Sequence, residues 1–95
     1  MSGLLILGAG GHGRVVAFTA RSAGASAEIA FLDDRFPEIT AVDGIPVLGR
    51  FETAARLVGR FAEAIVAIGD GSARLQITHR LRQSGFDLPV LVHPS

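Results

Sequence analysis

Three glycines near the amino terminus have the spacing of a loop that binds a phosphate. Gly8, Gly10 and Gly13 fit the pattern G-x-G-x-x-G, directly after the apolar run Leu4–Leu7. Glycine lets the backbone turn tightly and approach a ligand, and the start of a helix offers unpaired N–H groups to an anion. Gly10, Gly11 and Gly13 are therefore candidate donors to a diphosphate. The alternative is a tight strand–helix turn that binds nothing.

Two acidic residues follow at the distance that a nucleotide site requires. Asp33 lies 20 residues beyond Gly13, where dinucleotide-binding folds place the carboxylate that holds a ribose hydroxyl. Asp34 and Arg35 come next, and Arg35 could pair with a phosphate or lie in solvent. The alternative is that the two aspartates cap a turn before Pro37, as aspartate often does.

A second glycine-rich turn follows the apolar run Ala64–Ile68. Gly69 opens this turn, and Asp70 and Ser72 could cap the helix that begins there. Capping does not exclude contact with a base or a ribose. Arg74, near the start of the same helix, could reach a phosphate.

Catalytic and metal-binding patterns are weak in this sequence. His12 lies inside the first glycine loop, where it is expected to line or position a ligand rather than to act as a base. His79 is expected to be a solvated residue of a helix, and His93 is expected to lie in a turn. The chain has no cysteine, no histidine pair with ligand spacing and no G-x-S-x-G pattern. We therefore predict no metal site and no catalytic residue.

The elements that must position these turns alternate between strands and helices. The predicted strands are Leu4–Leu7, Glu28–Leu32, Ile45–Leu48, Ala64–Ile68 (expected to be the most central) and Leu88–Val92. The predicted helices are Arg14–Ala23 (stopped by Gly24), Phe51–Val58 and Ser72–Gln83 (stopped by Gly85), with Arg35–Gly44 as a loop. This alternation predicts an α/β fold with a parallel sheet between helices on both faces. The three polar turns should then converge at the carboxyl ends of the strands, where such sheets bind ligands.

Composition limits the classes of function. The chain has 95 residues, 48% of them hydrophobic, which suits one domain with a modest core. Nine basic and nine acidic residues balance, so we expect neither a nucleic-acid partner nor a membrane surface. No signal peptide and no membrane-spanning run is recognisable. The absence of cysteine is compatible with a cytoplasmic protein.

Together, these motifs resemble a known family. The residues that carry the resemblance are Leu4–Gly13 (LLILGAGGHG), Phe31–Asp34 (FLDD), Ile45–Gly49 (IPVLG), Ala67–Asp70 (AIGD) and Val92–Ser95 (VHPS). They are similar to the amino-terminal domain of bacterial sugar O- and N-acyltransferases of the sialic acid O-acetyltransferase and UDP-amino-sugar acetyltransferase type. The resemblance covers essentially the whole chain.

The resemblance implies a Rossmann-like, three-layer domain over residues 1–95 that binds the UDP-sugar acceptor. It implies that residues 10–13 meet the diphosphate, and that the nucleoside lies near Asp33, Asp34, Arg35, Gly69 and Asp70. In that family a β-helix of hexapeptide repeats follows, forms homotrimers, binds acetyl-CoA and supplies a catalytic histidine. No hexapeptide repeat occurs in these 95 residues. We therefore expect a domain that binds the acceptor but is not catalytic and has no cofactor, acetyl-CoA being the co-substrate of the intact enzyme.

Two alternatives remain at this stage. The glycine loop and Asp33 would also suit an NAD-binding module of a dehydrogenase or a redox sensor. An interaction domain that kept the fold and lost the ligand is the other possibility. The family often has asparagine where this chain has Asp70, which leaves the contact with the base open.

Overall fold

The computed structural model describes residues 3–23 and 28–88. The strands are β1 (Leu4–Leu7), β2 (Ile29–Leu32), β3 (Ala41–Val42), β4 (Ile45–Pro46) and β5 (Glu63–Val66). The helices are α1 (Gly11–Ser22), α2 (Gly71–Ser84) and a 3₁₀ helix (Phe51–Leu57). The predicted alternation of strands and helices is confirmed.

The central sheet is parallel and has the strand order β2-β1-β5. Leu7, the last residue of β1, pairs with Leu32 and with Val66, so the three strands end at the same level. The prediction that Ala64–Ile68 forms the most central strand was wrong. Strand β1 is the middle one and all four of its residues are buried, whereas Val66 in β5 is only half-buried. An apolar run indicates burial, but the neighbours of a strand are set by long-range pairing.

Two apolar clusters lie on opposite faces of the sheet because side chains alternate along each strand. Leu4 and Ile6 point to the face that α1 covers, and Leu5 and Leu7 point to the face covered by the 3₁₀ helix and α2. The first cluster also contains Val16, Ala17, Ala20, Phe31, Ile45 and Val47. The second contains Ala30, Leu32, Ala54, Phe61, Ala64, Leu81 and Phe86. The three-layer arrangement is therefore confirmed.

A small hairpin replaces part of the loop predicted over residues 35–44. Strands β3 and β4 pair antiparallel, with Val42 opposite Ile45. The two residues between them, Asp43 and Gly44, have φ of 53° and 79°. Positive φ at both central residues suits a two-residue hairpin, for which Asp-Gly is a favoured sequence. The Asp-Gly pair was thus a signal for a turn between strands.

The helix boundaries differ from the predicted ones in informative ways. Helix α1 begins at Gly11, before the predicted Arg14, so part of the glycine loop is already its first turn. The segment after Arg50 is a 3₁₀ helix rather than an α-helix. The predicted stop of α2 is confirmed, since Gly85 has φ of 102° and its N–H donates to the carbonyls of the last turn. The predicted stop at Gly24, the strand Leu88–Val92 beyond its first residue and the VHPS motif lie outside the described residues.

Candidate functional site

The glycine loop follows β1, between the ends of the two strands that flank β1, which are β2 and β5. Gly8 N donates to Leu32 O at 2.8 Å, and Ala67 N donates to Leu7 O at 2.8 Å. From β1 the chain passes to β2 on one side, and β5 joins β1 on the other. This is the point at which strand order reverses, and parallel sheets bind ligands there. Ala9 N donates to Asp33 Oδ2 at 2.8 Å, so the expected convergence of the turns after β1 and β2 is confirmed by direct contact. The third turn, residues 69–72, follows β5, which ends level with β1 at the same edge.

The glycines of this loop fall into two groups. Gly8 has φ of 112°, and a Cβ there would come within 2.5 Å of the carbonyl oxygen of Ala67. A Cβ at Gly13 would collide with the carbonyl oxygen of Gly8. At Gly10 and Gly11, by contrast, a Cβ would meet no atom within 4 Å other than those of the adjacent residues and of the helix backbone itself. Gly8 and Gly13 are therefore needed for the turn itself, and Gly10 and Gly11 leave open space above the backbone that a ligand can approach.

The start of α1 faces this open space. Gly10 is the N-cap with extended backbone, and Arg14 N donates to its carbonyl at 3.0 Å. The first turn of α1 has no acidic residue, and its cap has no side-chain hydrogen bond. No acidic residue of the helix itself therefore offsets the positive end of its dipole, which favours an anion. His12 is exposed in this first turn.

Asp33 binds the glycine loop to the end of β2. Its carboxylate is buried, with 8% of the residue exposed. Oδ2 accepts from Ala9 N at 2.8 Å and from Arg35 Nη2 at 3.0 Å. Oδ1 accepts from the backbone N and from Nε of Arg35, both at 2.9 Å. The Arg35 side chain is the main cause that lowers the pKa of Asp33 to about 2, and the N–H groups of Ala9 and Arg35 add to it against the opposing effect of burial.

The neighbours of Asp33 also make structural contacts. Asp34 Oδ1 accepts from Phe51 N at 3.0 Å, so Asp34 holds the start of the 3₁₀ helix. The guanidinium of Arg35 pairs with Asp33, and 55% of the Arg35 side chain is exposed. The alternative that Asp33 caps a local turn is confirmed by its bond to the N–H of Arg35. The contacts of Asp33, Asp34 and Arg35 with a ligand stay predictions.

The second turn begins beyond the end of β5. The prediction that Asp70 caps the following helix is confirmed, since its Oδ1 accepts from Ala73 N at 3.1 Å. Gly69, Ser72 and Arg74 are exposed. Asp70 is exposed as well, so a cap and a ligand contact are compatible at this residue.

A groove between the 3₁₀ helix and α2 was not foreseen. It has a volume of about 740 Å³, and Leu7, at the end of β1, lines it together with Asp34. Its other lining residues are Arg50, Phe51, Glu52, Ala54, Ala55, Ile77, Arg80, Leu81, Gln83 and Ser84. The apolar spacing of the two helices indicated that they pack on the sheet. The groove depends on how the 3₁₀ helix and α2 are placed relative to each other on the sheet, and no sequence pattern specifies that placement.

Over residues 3–23 and 28–88, no three histidine, cysteine or carboxylate side chains cluster in a way that could hold a metal ion. In the same ranges no helix has the length and the apolar character needed to cross a membrane.

Comparison with known proteins assigns the family. Residues 3–81 match the family model of the PglD N-terminal domain. The chain belongs to this family. A search of the curated proteins found no match. The family assignment confirms the resemblance to the amino-terminal domain of bacterial sugar acyltransferases.

Solved structures agree with this assignment. The acetyltransferase domain of PglB from Neisseria gonorrhoeae FA1090, in complex with acetyl coenzyme A, is 44% identical with a TM-score of 0.84. The match covers 96% of this chain and 43% of that one. PerB from Caulobacter crescentus, in complex with CoA and GDP-perosamine, is 32% identical with a TM-score of 0.79, over 100% of this chain and 44% of that one. The chain thus spans less than half of the length of these proteins, and the Rossmann-like α/β fold is confirmed.

Proposed function

We propose that this chain is the acceptor-binding domain of an acetyl-CoA-dependent sugar O- or N-acetyltransferase. It binds a nucleotide sugar by the diphosphate and is not catalytic by itself. Two complexes of similar proteins support this: PglB with acetyl coenzyme A, and PerB with CoA and GDP-perosamine. The family resemblance implies that the intact enzyme is a homotrimer and that acetyl-CoA binds outside this domain. The absence of cysteine suits a cytoplasmic protein.

The observation that carries the proposal is the open backbone at Gly10 and Gly11. These residues begin α1 at the edge where strand order reverses, and a Cβ on either would meet no atom within 4 Å beyond the adjacent residues and the helix backbone. The N–H groups of the first helical turn have no partner within the helix, so a diphosphate can accept from them. Gly13 lies in the same turn, and His12 is exposed beside the space that the diphosphate would fill.

The nucleoside would lie along the same edge of the sheet, toward Asp34 and the turn of Gly69 and Asp70. Asp34 follows the end of β2 and lines the groove beside it. The family resemblance favours a UDP-sugar, whereas PerB was solved with GDP-perosamine. The binding experiment therefore includes a uridine and a guanosine nucleotide sugar.

The NAD-binding alternative has weaker support. It needs a carboxylate at the end of β2 that is free to hold a ribose. Asp33 stands at that position, but both of its oxygens already accept hydrogen bonds from Ala9 and Arg35. Membership in the PglD N-terminal domain family argues in the same direction.

The domain's contribution to the reaction would be orientation. Holding the sugar by a remote diphosphate places its amine or hydroxyl where the acetyl group is transferred. Such positioning supplies part of the catalytic effect without any reacting group in this domain.

Calorimetric titration of the chain with a UDP-amino sugar, GDP-perosamine and NAD⁺ tests the proposal. We expect saturable binding of at least one nucleotide sugar and no saturable binding of NAD⁺. Preference for NAD⁺ would make the chain a redox module. The absence of binding by all three would favour an interaction domain that has lost its ligand.

A further inference from the structure

Asp33 has no lone pair left for a ligand. An ionised carboxylate offers about four acceptor positions. Four donors surround that of Asp33: the backbone N–H groups of Ala9 and Arg35, and two N–H groups of the Arg35 guanidinium. The residue is also buried, with 8% of its surface exposed. A ribose hydroxyl could bind Asp33 only if one of these donors left.

The bond to Ala9 positions the part of the loop that faces the ligand. Ala9 lies 24 residues before Asp33 in sequence and is itself buried. It directly precedes Gly10, the N-cap of α1. Fixing the N–H of Ala9 therefore fixes where the open backbone of Gly10 and Gly11 begins.

Arg35 makes this arrangement compatible with an anion. A bare carboxylate beside a diphosphate would repel it, and the repulsion would be strong near a buried group. The guanidinium of Arg35 forms two hydrogen bonds to Asp33, so the pair carries no net charge. About half of the Arg35 side chain is exposed.

We propose that Asp33 and Arg35 form a clasp that positions the glycine loop for the diphosphate, and that Asp33 does not contact the ribose. This inference rests on the proposed function, because it assigns the clasp to the site where the nucleotide sugar binds. Both are positioning residues that act through the backbone of Ala9.

Probes with and without a ribose distinguish positioning from direct contact. The probes are UDP or GDP, whichever binds more tightly, its 2′- and 3′-deoxy forms, and inorganic pyrophosphate. If Asp33 acts through the loop, Asp33→Asn weakens all of them by the same factor, about tenfold as for the loss of a charged hydrogen bond. The preference for the ribose forms over the deoxy forms stays unchanged. Loss of that preference, with pyrophosphate bound as before, would overturn the proposal.

A matched control and a related variant sharpen this test. Glu38→Gln removes an exposed carboxylate from the same segment after β2 and should leave every affinity unchanged. Arg35→Ala leaves the carboxylate of Asp33 uncompensated and should weaken all probes alike. Arg35→Lys keeps the positive charge but loses the bidentate contact with Asp33. Its affinity for the probes should therefore lie between those of Arg35→Ala and the wild-type chain.

Amide hydrogen exchange tests the clasp without any ligand. The N–H of Ala9 should be protected in the wild-type chain, and its exchange should be at least about tenfold faster in Asp33→Asn and in Arg35→Ala, while Leu5 and Ile6 in β1 stay protected. Equal exchange of Ala9 in wild type and variants would overturn the clasp. This result does not depend on the proposed function, whose failure would appear as a wild-type chain that binds no nucleotide sugar.

Discussion

The backbone of Gly13 lies so close to the carbonyl oxygen of Gly8 that no Cβ fits between them. Gly8 itself adopts φ of 112° beneath the end of β5. These two glycines bring the first turn of α1 against the end of β1. The G-x-G-x-x-G spacing is thus explained at two positions by packing, and the positions between them remain open to a ligand.

Gly13→Ala should destabilise the fold strongly. The new methyl group would push against backbone, which cannot move aside as a flexible side chain can. We expect a loss of about 3 kcal/mol or more in the free energy of unfolding, measured by urea denaturation. Gly11→Ala is the matched control, because its Cβ would meet no atom within 4 Å beyond the adjacent residues and the helix backbone. It should unfold at a similar or slightly higher urea concentration. Equal stability of the two variants would contradict the packing argument.

Gly11→Val should abolish ligand binding while the chain stays folded. The side chain of a valine at this exposed position would occupy the space over the loop that the diphosphate is proposed to fill. Calorimetric titration with the nucleotide sugar measures the effect, and circular dichroism checks the fold. Gly59→Val is the control, because Gly59 is also exposed with no atom near its built Cβ, but follows the 3₁₀ helix outside the site. Undiminished affinity in Gly11→Val would contradict the proposed site.

The stability of the chain should fall in acid because of Asp33. The pKa of Asp33 is lowered from 3.8 to about 2 in the folded state, mainly by Arg35. A carboxyl group with a lowered folded pKa stabilises the fold above its unfolded pKa, and this contribution is lost as the pH falls from about 4 to about 2. The shift corresponds to about 2 kcal/mol.

Urea denaturation of wild type and Asp33→Asn between pH 7 and pH 2 measures this contribution. The variant should be less stable at pH 7, and the difference in free energy of unfolding should narrow by about 2 kcal/mol toward pH 2. A difference that stays constant over this range would show that the charge of Asp33 does not stabilise the fold.

Asp70→Ala should destabilise α2 by removing its N-cap. The carboxylate accepts from Ala73 N at 3.1 Å, and loss of such a cap costs about 1 kcal/mol. In a domain of this size we expect the melting temperature to fall by about 4–8 °C. Gln76→Ala, an exposed position within the same helix, is the control and should leave it unchanged. A melting temperature unaltered by Asp70→Ala would contradict the capping role.

Part of the fold follows from local patterns that can be read directly. The apolar run Leu4–Leu7 indicated a strand buried on both faces, and β1 is buried on both faces. Gly85 indicated the end of a helix, and α2 ends there with a left-handed glycine. The hairpin of β3 and β4 was missed although Asp43 and Gly44 carry its turn signal, because each strand has only two residues.

The convergence of the turns was predicted, but the contacts between them were not. The turns after β1 and β2 were expected at one edge, and Ala9 and Asp33 meet there. The sequence suggested a ribose as a partner of Asp33, and the structure adds two partners within the chain, the backbone N–H of Ala9 and Arg35. A backbone donor has no side-chain signature, so no pattern in the sequence could reveal that contact.

The sequence by itself determined the order of strands and helices, the glycine turn and the helix cap at Asp70. These depend on local backbone geometry and on the period of apolar residues, both of which residue types specify directly. The tertiary structure alone decided that β1 is the middle strand, that Asp33 is saturated by Ala9 and Arg35, and that residues of the 3₁₀ helix and α2 line a groove. Each of these depends on pairing or packing between distant segments, whose relative positions become defined only when the chain has folded.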